Sequence, residues 1–118
     1  MDRSTKNEHW DDITDLYGYE ISNSLKRNKS RTRTLMYVGN HIDRTISEIS
    51  WGIRITYTNT HGAIVGDGKK YSIKLSLTGL NLMLYEKYEN SNGHGGICNL
   101  TDMGKGVFEI LNGRIDRR

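Results

Sequence analysis

The chain of 118 residues has no proline, one cysteine and one phenylalanine. Without proline no X-Pro bond interrupts an element, so the 13 glycines punctuate the chain instead. The lone Cys98 excludes an internal disulfide framework and suits a reducing compartment. No apolar run approaches the roughly 20 residues of a membrane span. The first residues lack the apolar core of a signal peptide, so the expectation is a soluble, cytoplasmic protein. Metal-ligand spacing is missing as well. Of His9, His41, His61 and His94, none forms a recognised metal spacing with another; His94-x-x-x-Cys98 is only a pair, and a zinc site needs three or four ligands. No nucleophile sits in a strained motif, and the carboxylates lie beside basic residues. The expectation is therefore a non-enzyme with no metal and no cofactor.

What is present is a modest core and local positive charge. Hydrophobic residues make up 35% of the chain, enough for a single domain over residues 1–118, and the net charge is only +3. The basic residues are concentrated. Lys26, Arg27, Lys29, Arg31 and Arg33 crowd into residues 26–33, and Arg114, Arg117 and Arg118 crowd the end. Such clusters attract phosphate, in nucleic acid or in a small nucleotide, or else form a solvated strand and tail.

The apolar pattern predicts strands first and helices last. Residues 1–9 are polar and expected to be loose. Residues 10–16 read as a turn or half-turn of helix, residues 19–23 as a strand, 26–33 as an exposed strand or loop, and 35–38 as a short buried strand. Ile49, Trp51, Ile53, Ile55 and Tyr57 alternate with Ser50, Gly52, Arg54 and Thr56, the period of a half-buried strand. Residues 63–77 read as a hairpin around Gly66-Asp67-Gly68. Thr78 then reads as an N-cap, with Leu80, Met83, Leu84 and Tyr88 at helical spacing. After the loop of residues 90–96, Leu100, Met103, Val107, Ile110 and Leu111 predict a second helix ending at Gly113. The expected fold class is α+β: residues 10–77 mainly strands in an N-terminal antiparallel sheet, packed with two C-terminal helices in 78–118.

Two resemblances bear on function. Trp10, Asp12, Ile13, Tyr19, Ile21, Ser22 and Asn23 resemble the small modular DNA-binding motif of phage HNH homing endonucleases, carried on through the basic residues to Arg33. After Ser22-Asn23, where that family has Gly-x-Val, this chain has Ser24-Leu25-Lys26-Arg27. At the second echo, residues 68–74, Lys74 stands where the family has His. A nuclease centre is not implied, because its His base and metal ligands are missing. What is implied is a DNA-binding protein without its nuclease, with Arg27, Lys29, Arg31 and Arg33 along the phosphates. The size and predicted element order, with an Asn-containing loop and a late arginine, also resemble the phage Thoeris anti-defence sponge family. That resemblance implies an oligomer that sequesters a cyclic ADP-ribose-like or cyclic nucleotide signal between subunits.

The sponge reading, to which absent catalysis and modest charge lean, names five ligand-binding residues. Arg54 points away from the core side of its predicted strand. Tyr85 lies off the apolar stripe of its predicted helix, as an exposed ring to stack on a base. Asn92 and His94 sit in a loop rich in Gly and Asn, where backbone N–H groups can approach a phosphate. Arg114 ends the second predicted helix, where it serves a pyrophosphate or simply the helix dipole. Exposed apolar residues on the helices point to a homo-oligomer. Inhibition of a host defence protein is a further possibility that the residues leave open.

Overall fold

A computed structural model of the chain describes residues 2–87 and 95–113, with side chains from residue 9 onward. The class is α+β, with a two-stranded antiparallel sheet and six helices among the described residues, but the order differs from the expectation. Helices fill the N-terminal half: α1 (Asp2–Tyr17), α2 (Tyr19–Arg27), α3 (Lys29–Asn40), α4 (Ile46–Ile53) and α5 (Tyr57–Ile64). The strands come late, β1 (Met83–Lys87) and β2 (Gly96–Leu100), followed by α6 (Asp102–Leu111).

Local chemistry explains most of the boundaries. Gly18 separates α1 from α2 at φ 103°, a conformation that costs a residue with a Cβ but not glycine. The Asn28 side chain accepts from the Arg31 N–H and starts α3. Thr45 and Glu48 form a reciprocal capping box on α4, Thr56 accepts from the Asn59 N–H on α5, and Thr101 accepts from the Gly104 N–H on α6. Each such cap typically contributes about 1 kcal/mol.

Several expected elements are therefore corrected. Residues 19–23 are helical, and so are the basic stretch and residues 35–38, which belong to α2 and α3. The alternating stripe from Ile49 to Tyr57 is no strand. Ile49 and Ile53 are buried one turn apart on α4, while Trp51 is 82% exposed. The expected hairpin of residues 63–77 is the end of α5 and a run of turns. The expected helix after Thr78 is a turn leading into β1, whose partner is β2 in the register Met83↔Leu100, Tyr85↔Cys98 and Lys87↔Gly96. Strand pairing satisfies the backbone here, where a lone apolar spacing suggested helical bonds. The second predicted helix is present, as α6.

The core runs along α3, which packs against α2, α4, α5, α6 and β2. Ile13, Leu35, Ile49, Ile64, Leu82 and Val107 are fully enclosed in it, drawing on five helices and the approach to β1. Removing any of these side chains back to alanine would cost about 2–5 kcal/mol. No described helix is long and apolar enough to cross a membrane.

Candidate nucleic-acid interface

The arrangement that positions a surface begins at residue 44. Arg44 forms an isolated antiparallel bridge with Cys98, so β2 lies between Arg44 on one side and β1 on the other. In chain order this is a helix (α3), a one-residue strand, two short helices (α4 and α5), then a hairpin. That element order is the one a winged helix-turn-helix has. The turn between α4 and α5 occupies residues 54–56. Arg54 takes the left-handed conformation at φ 59° and ψ 45°, which turns the chain sharply enough for Thr56 to cap α5. Small or apolar inward residues pack the pair against each other and against α3: Ile49, Ser50 and Ile53 from α4, then Thr60 and Ala63 from α5.

With that face buried, α5 turns Tyr57, Thr58 and part of His61 outward, and the Tyr57 and His61 rings stack with centroids 6.1 Å apart. In a helix-turn-helix the outward residues near the start of the second helix are the ones that reach base edges. Tyr85 of β1 has its hydroxyl raised above its ordinary value, first by burial, then by Tyr57 and Cys98. The Tyr85 ring lies over Gly96, where a Cβ would come within 2.8 Å of it. The hairpin packs through β2 against α3 and α4, with exposed Lys87 at the end of β1. Between α4 and α5 lies an open groove of about 600 Å³, lined by Ser47, Ser50, Trp51, Arg54, Ile55 and Tyr57.

The expected site residues divide. Arg54 is exposed in the turn of the helix pair and lines its groove, whereas Tyr85 is half-buried on the hairpin and is not part of that lining. Asn92, His94 and Arg114 lie outside the described residues. Arg27 and Lys29 are exposed at the junction of α2 and α3. Lys26, Lys29 and Arg33 surround Trp10 and Leu25 in a shallow depression of about 290 Å³. Arg33 also donates to the Ile53 carbonyl, which carries this basic surface up to Arg54. Arg31 is a correction as a phosphate contact. It is 7% exposed, and its Nη1 donates at 3.0 Å to Ser24 Oγ, which in turn donates to the Leu75 carbonyl at 2.9 Å. Burial pulls its guanidinium below its ordinary value, and its role is to tie α2, α3 and the 65–82 segment together.

Sequence reasoning missed Tyr57, Thr58 and His61 as a surface. The signals were there: Thr45-x-x-Glu48 and Thr56-x-x-Asn59 both read as helix starts. Among the described residues, no three His, Cys, Asp or Glu side chains gather as a metal site. Cys98 is enclosed, and burial pushes its thiol up to about 12.

A family model, EarA-like, matches residues 21–111, from within α2 through α6, and leaves out residues 10–20 of the homing-endonuclease-like stretch. No curated protein and no solved structure matches the chain.

Proposed function

The chain belongs to the EarA-like family, whose proteins are phage-type, and we propose that it is a non-catalytic duplex-DNA-binding protein. The observation that carries this reading is the packed helix pair α4–α5, followed in the chain by the β1–β2 hairpin that packs on α3 and α4. Helix α5 lies in the major groove, with Tyr57, Thr58 and His61 facing the bases. Arg54, Lys87, Lys29 and Arg33 contact phosphates. A fold alone does not assign function. Support comes from the chemistry of the outward face: hydroxyls, a stacked imidazole and guanidinium groups, with Glu48 turned into its own cap.

The test is fluorescence anisotropy of the full chain with a pool of random duplexes, followed by selection of the bound fraction. Binding that weakens steeply between 50 and 200 mM salt is expected. Absence of duplex binding at low salt overturns the reading.

A second reading has its own observation. The groove beside Arg54 combines a guanidinium with Trp51 and Tyr57, the chemistry of a stacked, phosphorylated small molecule. Under it the protein is an anti-defence sponge, sequestering a cyclic ADP-ribose-like or cyclic nucleotide signal in a homo-oligomer. Thermal shift with ADP-ribose derivatives and cyclic nucleotides separates the two. A large shift preserved in salt favours the sponge, and none with any nucleotide removes it.

A further inference from the structure

We infer that the loop of residues 66–71, between α5 and β1, is a second phosphate-contacting element that grips the DNA backbone alongside α5. The inference rests on the duplex-binding reading.

The loop is fastened to α5 itself. The Tyr71 ring covers Gly62, where a Cβ would stand 2.3 Å from it, and the Tyr71 hydroxyl donates to the Asn59 side-chain oxygen. Both partners lie on α5, one turn apart. The loop is also closed on itself. The N–H groups of Asp67 and Gly68 both donate to the Tyr71 carbonyl at 3.0 Å. The Asp67 carboxylate accepts from the N–H groups of Lys69 at 2.8 Å and Tyr71 at 2.9 Å. These bonds, Tyr71 first, hold the Asp67 carboxyl below its ordinary value, so it stays an ionised brace for the backbone. Gly66 leaves α5 at φ 76°, and a Cβ there would stand 2.5 Å from the Ser72 carbonyl, which compels the chain to turn tightly.

This frame presents Lys69 and Lys70 together, both exposed, on the flank of α5 that Tyr71 covers. The Lys70 ammonium lies 5.4 Å from the centroid of the Tyr71 ring. Two cations on a braced loop beside a groove-reading helix suit successive phosphates of one strand, since little loop freedom is lost on binding. They carry no means of reading a base, so they add affinity and register without sequence preference.

The experiment compares the full chain with its K69A/K70A and Y71F variants on one duplex of about 20 base pairs, from 50 to 200 mM salt. Each phosphate contact contributes about 0.9 to the slope of log affinity against log salt. K69A/K70A should therefore flatten the slope by about 1.8, with an equal loss of affinity on every sequence tested. Y71F keeps the ring over Gly62 but releases Asn59, and should weaken binding severalfold. Both lysines are exposed, so the melting temperature should hold. If it falls, K69Q/K70Q is read in place of the alanine pair. An unchanged slope in a chain that still binds duplex overturns the loop contact and leaves the α5 reading standing. No duplex binding by the parent chain overturns both.

Discussion

Arg33 on α3 donates from its guanidinium to the main-chain carbonyl of Ile53, the last residue of α4. A cation therefore sits on the negative end of one helix, one residue before the chain turns at Arg54 into the next. The contact makes α3 the frame on which the α4–α5 turn is held, and it links the basic stretch of the sequence to the proposed reading surface.

Replacing Arg33 by alanine should remove that cap and destabilise the fold by about 1–2 kcal/mol, the usual range for a hydrogen bond from a charged group reduced by partial exposure. Lys26→Ala, at an exposed position of the same basic stretch, should change stability by less than about 0.5 kcal/mol. Urea denaturation of the two variants checks the contrast. Equal effects would mean that the Ile53 contact is not made in solution.

Arg31 behaves differently from the rest of its cluster. Ser24→Ala removes the hydroxyl that joins the enclosed guanidinium to the Leu75 carbonyl. The cost should be about 1–3 kcal/mol, because a buried charged donor is left without its partner. Salt dependence of duplex binding should stay as in the parent chain once temperature is lowered to keep the variant folded.

At Arg54 stability and binding should move in opposite directions. A non-glycine residue in the left-handed region costs about 1–2 kcal/mol, and glycine returns about 0.5–1 of that as unfolded-chain entropy. Arg54→Gly should thus be more stable by about 0.5 kcal/mol, yet lose duplex affinity with a slope shallower by about 0.9. Chemical denaturation and anisotropy on the same preparation read both quantities.

Glycine is required at 104 for packing. A Cβ there would stand 2.0 Å from the Leu82 main-chain oxygen, and Thr101 N–H donates to that same oxygen at 3.1 Å. Helix propensity alone favours alanine by about 1 kcal/mol. The clash with backbone should outweigh it, so that Gly104→Ala is destabilising by about 1–3 kcal/mol. A rise in melting temperature would show that α6 can shift away from the strand.

Cys98 gives a pH-dependent readout. Its thiol is raised to about 12 from an ordinary 9.0 by burial, so the folded chain holds the proton where the unfolded chain loses it. Stability should be unaffected by this group below pH 9 and should decline as pH rises from there toward 12. At pH 8 an aromatic disulfide reagent should leave native Cys98 untouched and react once denaturant is added. Rapid native reaction would show that β2 opens locally.

How legible the fold was in the sequence differed from element to element. Helix α6 was legible because Thr101 caps it and Val107, Ile110 and Leu111 repeat at helical spacing with few other readings. The stripe from Ile49 to Tyr57 was ambiguous by arithmetic. Positions 49 and 53 lie on one face both of a strand and of a helix, and only burial tells that Trp51 and Tyr57 face outward. The capping box at Thr45 and Glu48 would have resolved it locally. β1 could not be resolved that way, since its strand character comes from pairing with β2, beyond the reach of any local pattern.

By itself, then, the sequence determined the class, one helix, the lack of disulfides and the places where charge and glycine accumulate, all of which follow from composition and short-range chemistry. Tertiary structure decided the rest. Burial turned Arg31 from a phosphate contact into a structural tie, and packing against α3 set α4 and α5 at their turn. Contacts across dozens of residues, from Arg44 to Cys98 and from Ser24 to Leu75, brought the pieces of the surface together. Such contacts are chosen by the free energy of the whole enclosed core, which no window of neighbouring residues contains.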